Sequence, residues 1–183
     1  MKILVISANT ERTEIRPLPL GPACVAAACS AAGHEALLLN LMFEDDPESA
    51  VRDHIAAFRP SAIGISVRNI DDQNMASPRF LLPPVRRIVS LCRELSAVPI
   101  VVGGAGYSIF PERALAYLGA DLGIRGPGEI AFPALLDCLA RGADPSGLPG
   151  ICLPGRPSPA AVFPASMHAS PLPEPESWIP PTA

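Results

Sequence analysis

The residues in this chain best suited to hold a ligand are small, and they gather where short apolar runs stop. Ser7, Ala8 and Asn9 follow the start of the chain, MKILVI, and Ser66, Val67, Arg68, Asn69 and Ile70 follow AIGI. Gly103, Gly104, Ala105, Gly106 and Tyr107 follow PIVV, and Gly126, Gly128 and Glu129 follow LGIR. Glycine carries no Cβ, so the backbone there can lie directly against a bound group. A Gly-Pro-Gly-Glu turn that opens a helix leaves N–H groups free to hold an anion. Tight turns use the same residues, so each turn alone is a weak signal. No residue is assigned to catalysis.

The other residues able to do chemistry are scattered. Asp71 and Asp72 read as a solvated turn rather than a metal site. His34 falls at the start of the second strand, away from the turns above; His54 lies on an outer helix and His168 in the tail. The five cysteines, Cys24, Cys29, Cys92, Cys138 and Cys152, include no C-x-x-C pair, which excludes a zinc ribbon or a thioredoxin-type site. They read as free buried thiols of a reducing cytosol. A dinucleotide site needs G-x-G-x-x-G after the first strand, where this chain has Ser7-Ala8-Asn9-Thr10. A P-loop is absent. A phosphoreceiver site needs an Asp ending the third strand, where Ser66-Val67-Arg68 stands instead.

The elements that must position these turns are legible from periodicity. Strands are expected at 1–7, 35–42, 62–67, 99–102 and 122–124, because short β-branched apolar runs mark strands covered on both faces. Helices are expected at 20–32, 47–58, 83–95, 111–118 and 129–141, with Asp46 as an N-cap and Gly33 as a left-handed stop. Five β-α repeats imply an α/β fold: a doubly wound, five-stranded parallel sheet with helices on both faces. It is Rossmann-like or flavodoxin-like, in the order 2-1-3-4-5. Ligands of such sheets bind beyond the carboxyl ends of the strands, where the small residues above lie. The loop at 68–82, about 15 residues long, is of a length that usually serves function.

Composition narrows the classes. The chain has 183 residues, 49% of them hydrophobic and 17% charged, enough for one well-buried domain. The net charge of −4 comes with no basic stripe, so no nucleic-acid partner is expected. No apolar run approaches the roughly 18 residues that suggest a membrane span, and residues 1–7 run at once into polar sequence, so the start is no signal peptide. A cytoplasmic protein is expected. Residues 1–150 read as the domain and 151–183 as a Pro-rich tail or linker. Nine of the 23 prolines fall in 154–183, and Phe163, Met167 and Trp178 are apolar enough to pack on a partner or along an edge.

Five stretches taken in order are MKILVISANTER, PLGPACVAAACSAAGHEALLLNL, PSAIGISVRNIDDQ, PIVVGGAGYSIFPE and ADLGIRGPGEIAFPALL. Together they resemble the N-terminal cobalamin (vitamin B12)-binding domain of B12-dependent radical SAM enzymes. The resemblance implies that the nucleotide tail of cobalamin threads beside the sheet, lined by Ser66, Val67, Gly103 and Gly104. A branched side chain at Gly104 would then fill the tail groove. The corrin ring would lie over the upper edge of the sheet, against the loops holding Asn69, Ile70 and Tyr107.

Two departures from that family follow. Many B12 domains carry Asp-x-His-x-x-Gly after the first strand, supplying a histidine to cobalt. Here the segment is Asn9-Thr10-Glu11-Arg12-Thr13-Glu14, which implies base-off cobalamin with no protein histidine on the metal. No C-x-x-x-C-x-x-C is present, so the [4Fe-4S] cluster and S-adenosylmethionine belong to a radical SAM domain or subunit absent from this chain. The expected function is therefore a cobalamin-binding module serving methyl transfer or related radical chemistry. A cofactor-free interaction or regulatory domain and a flavodoxin-like FMN binder are the alternatives.

Overall fold

The computed structural model describes residues 1–11, 17–160 and 173. Six strands form one sheet in the order β2-β1-β3-β4-β5-β6. They are β1 (Lys2–Ser7), β2 (Glu35–Asn40), β3 (Ala62–Ser66), β4 (Ile100–Gly103), β5 (Leu122–Ile124) and β6 (Ile151–Cys152). The first five run parallel, and β6 pairs antiparallel with β5. The helices are α1 (Leu20–Ala31), α2 (Pro47–Phe58), α3 (Leu82–Leu95), α4 (Ala105–Ile109), α5 (Pro111–Leu118) and α6 (Gly128–Ala140).

Local chemistry accounts for most boundaries. Asp46 caps α2, its carboxylate accepting from the N–H groups of Glu48 (3.1 Å) and Ser49 (3.0 Å), with Pro47 opening the helix. Gly119 ends α5 in the left-handed region, at φ 71°. The second strand stops at Asn40, short of 42, because the Asn40 side chain accepts from the N–H of Met42 and bends Leu41–Phe43 into a 3₁₀ turn.

The two sheet faces bury separate cores. One packs Leu4, Ile6, Ile63 and Ile65 against α2, α3 and α5; the other packs Ile3, Val5, Ala62 and Val101 against α1 and α6. Alternation along each strand sends neighbours to opposite layers. Thus Val5 and Ser7 share the face of α1 and α6, as do Gly64 and Ser66.

Two elements go beyond the periodicity of the sequence. Residues 105–109 form a short helix where a turn was expected. Ile151–Cys152, on the tail side of residue 150, adds an edge strand to the sheet, so five parallel strands become six in a mixed sheet. A two-residue strand has no period to read. Beyond it, the N–H of Ser158 donates to Glu112 Oε1 (2.8 Å) and Arg125 Nη1 donates to the carbonyl of Pro159 (3.3 Å). Phe163, Met167, His168 and Trp178 lie outside the described residues. Among the described residues, no helix is long and apolar enough to cross a membrane.

Candidate functional site

A cavity of about 350 Å³ opens at the carboxyl ends of β1, β3, β4 and β5, between the sheet and the α1–α6 layer. Two rows of residues across the sheet build one wall. Strand register aligns Val5, Gly64 and Val101 in the inner row and Ser7, Ser66 and Gly103 in the row that ends the strands. At about 3.3 Å per residue, the rows lie roughly 7 Å apart. The inner row is apolar and the outer row carries two hydroxyls and a bare backbone. Phe132 of α6, Val25 of α1 and Ile124 of β5 also line the cavity.

The missing side chains have different consequences. A Cβ at Gly103 would sit 3.5 Å from the Ile124 carbonyl, an ordinary contact, so its absence leaves open room in the cavity rim. Gly104 also borders the cavity, but its φ is 101° and a Cβ there would meet the Val67 carbonyl at 2.6 Å. Glycine at this position is thus required by its own backbone and by its neighbour, independently of any ligand in the cavity it borders. Gly106 is closed in the same way by the backbone of Arg68 and Asn69.

Ser108 joins two of the strand-end turns. Its hydroxyl donates to the Gly104 carbonyl (2.9 Å) and accepts from the Gly126 N–H (3.1 Å). The turn after β4 and the turn before α6 are thereby fixed to each other at the cavity rim. The Arg79 guanidinium pairs with Glu11 and Asp72, tying the loop after β3 to the loop after β1.

The expected site residues divide into two groups. Ser7, Asn9, Ser66, Arg68, Gly103, Gly104, Ala105, Gly126, Gly128 and Glu129 border the cavity. Ala8 and Val67 are buried in the opposite core, and Ile70 packs against it. Asn69 is exposed and lines a separate small pocket that shares Asn9 and Arg68 with the cavity. Tyr107 corrects the reading of a ring-binding residue. The first turn of α4 directs it under the sheet, fully buried, into space that only Gly123 leaves open: a Cβ on Gly123 would overlap the phenol oxygen. Burial raises its pKa, with Cys152 adding to the effect.

Sequence reasoning missed Gly64, Phe132, Ser108 and the Pro17–Pro22 stretch that opens α1. Gly64, an interior strand glycine, was the available signal, because such residues often mark close approach. The described histidines lie elsewhere. His34 Nδ1 is 3.3 Å from the Met1 nitrogen, beside the amino ends of β1 and β2, and His54 Nδ1 donates to the Ala50 carbonyl (2.7 Å) within α2. All five cysteines are free, and burial pushes the thiols of Cys29 and Cys92 up to about 12. The half-buried Cys24 is raised by burial and by the charge of Glu129.

The sequence matches the B12 binding domain family over residues 10–136. The chain belongs to that family. The match favours cobalamin over the flavin and cofactor-free readings. This B12-binding domain is 33% identical over 176 residues to a tryptophan 2-C-methyltransferase of Streptomyces laurentii, covering 91% of this chain and 29% of that protein. Its fold is similar to that of the radical S-adenosylmethionine methyltransferase TsrM of Kitasatospora setae, with a TM-score of 0.78 and 28% identity over 83% of this chain and 28% of that one. TsrM has been solved with tryptophan and an S-adenosylmethionine analogue bound, and with cobalamin and a [4Fe-4S] cluster bound. The cobalamin-dependent S-adenosylmethionine radical enzyme OxsB shares the fold at a TM-score of 0.67 and 17% identity, over 88% of this chain and 22% of that one. The B12-binding domain thus spans less than a third of the length of these relatives.

Proposed function

We propose that this domain holds cobalamin base-off, with the nucleotide tail in the cavity beside the sheet, for a methylation completed by a radical SAM domain or subunit outside this chain. The observation that carries this reading is the cavity: apolar within, hydroxyl-bearing at the rim, and backed by a sheet edge with no Cβ at Gly103. Its volume falls within the roughly 300–1,000 Å³ of small-molecule sites. Bound cobalamin supplies a cobalt centre that carries a methyl group.

The chain's own residues bind and orient. Ser7 and Ser66 offer hydroxyls to the polar part of the tail. Gly103 lets the tail pass close to the backbone. Phe132 and Val25 keep water from the buried end. Ser108 holds the two rim turns at a fixed separation. The S-adenosylmethionine and the [4Fe-4S] cluster are assigned to the absent partner, and the assembly to the cytoplasm.

Incubation with hydroxocobalamin, removal of free cofactor and a visible spectrum test the reading. A stoichiometric cobalamin spectrum is expected. Under reducing conditions with S-adenosylmethionine, the chain alone should make no 5′-deoxyadenosine. Lack of retained cobalamin refutes the binding role, and 5′-deoxyadenosine from the pure chain refutes the division of labour.

A further inference from the structure

We infer that the cavity selects among cobalamin-type cofactors by the base that ends their nucleotide tail, accepting 5,6-dimethylbenzimidazole and discriminating against adenine. This rests on the reading that the tail enters the cavity.

The inner wall is made by Val5 and Val101 of the sheet, with Gly64 between them, and by Val25 and Phe132 of the helices, while Ile124 stands level with Gly103 in the outer row. None of these side chains can donate or accept a hydrogen bond. The central strands' backbone groups face one another in the parallel ladder rather than the cavity. Of the polar side chains that border the cavity, Ser7 and Ser66 end their strands, Asn9 and Arg68 follow in the loops, Ser108 lies in α4 and Glu129 in the first turn of α6. The Ser108 hydroxyl is already committed to Gly104 and Gly126.

A base seated against the inner row therefore meets carbon on its far edge. Dimethylbenzimidazole presents two methyl groups there, and their burial is favourable. Adenine presents an exocyclic amine and ring nitrogens, which lose water and gain no partner. The polar ribose and phosphate are common to both cofactors and meet the same hydroxyl rim, so they do not contribute to the choice. The expected discrimination is tenfold or more in Kd.

The test titrates the full 183-residue chain separately with cobalamin, with the adenine-bearing cobamide and with cobinamide, which lacks the nucleotide, following absorbance or heat. Cobalamin should bind at least tenfold more tightly than the adenine analogue, with cobinamide weaker than cobalamin. Equal affinity for cobalamin and the adenine analogue overturns the selectivity while leaving cobalamin binding intact. Absence of cobalamin binding overturns both this inference and the reading beneath it. Val101→Thr places a hydroxyl in the inner wall and should narrow the preference; Val25→Thr, on the half-buried helix side, does the same should the strand variant not fold. A folded variant of either kind with an unchanged ratio of affinities counts against the proposal.

Discussion

A Cβ on Gly64 would stand 2.8 Å from Cε1 of Phe132, closer than real Cβ contacts come. Glycine at the centre of β3 therefore lets the Phe132 ring, 2% exposed, lie against the sheet behind the cavity. Gly64→Ala must displace the ring or the strand. Overpacking of this kind costs about 1–3 kcal/mol, so a lower Tm and weaker cobalamin binding are expected. Phe132→Leu in the same chain should recover part of the loss. A double-mutant cycle in Tm and Kd checks the coupling, and strict additivity would show that the contact does not govern the site.

Gly103 and Gly104 separate a ligand-facing glycine from a backbone-required one. Gly103→Leu should fold with little change in Tm and lose cobalamin binding at least tenfold, because its side chain leaves an ordinary contact with Ile124 and enters the rim. Gly104→Ala should destabilise the domain even without cofactor, by about 1–3 kcal/mol for a residue forced into a sparsely populated backbone region. Thermal melts of both apo proteins decide the assignment. The reverse pattern would return Gly104 to the ligand side.

The contrast shows what the sequence made legible. Strand ends with small residues located the carboxyl edge of the sheet, and five β-α repeats gave the strand order, because apolar periodicity and alternation survive without tertiary context. Ten of the sixteen expected residues border the cavity. Tyr107 is buried in the core rather than exposed beside the cavity. Helix α4 rotates it inward, and the space it fills depends on Gly123, sixteen positions away on β5. Likewise, Ser108 gains its role only because the Gly126 N–H arrives beside it. Such contacts between distant segments leave no local pattern.

Asp72 makes the loop after β3 sensitive to acid. Its carboxylate accepts from the N–H groups of Arg79 (2.9 Å) and Asn74 (3.2 Å), and these bonds hold its pKa below the ordinary value. A lowered folded value means the tie is fully present above the ordinary carboxylate pKa of about 3.9. It is lost as the pH falls through the lower folded value. Hydrogen exchange at the Arg79 amide, corrected for its intrinsic rate, should be slowed at neutral pH and lose that protection only in strong acid. Asp72→Ala should remove the protection at pH 7. Protection that persists in the variant would show that Glu11 and the loop backbone suffice.

Among the described residues after β6, Ser158 donates to Glu112 and Pro159 accepts from Arg125. Neither adds to the two buried cores, so a chain ending at Leu153 should remain folded with a Tm lowered by only a few degrees. A loss of 1 kcal/mol would shift Tm by about 2–4 °C at this size. A much larger fall would assign the tail a structural role.

No described histidine is placed to bind cobalt at the carboxyl edge of the sheet. His34 stands beside the amino ends of β1 and β2, near the Met1 nitrogen, with Nε2 3.7 Å from Asp137 Oδ1. Reaching a cofactor at the carboxyl edge would require it to pass the length of the sheet. His54 is held within α2 by the Ala50 carbonyl, on the face opposite the cavity. His168 lies outside the described residues and is tested by substitution. Bound cobalamin in the Co(II) state should therefore give an electron paramagnetic resonance spectrum without the threefold splitting that one axial nitrogen imposes on each cobalt line. A triplet that disappears in His34→Ala, His54→Ala or His168→Ala would identify a protein ligand and refute the prediction. A triplet retained in all three would place the cofactor's own base on cobalt and refute the base-off state instead. Simple lines in the unaltered chain and in all three variants are the expected result.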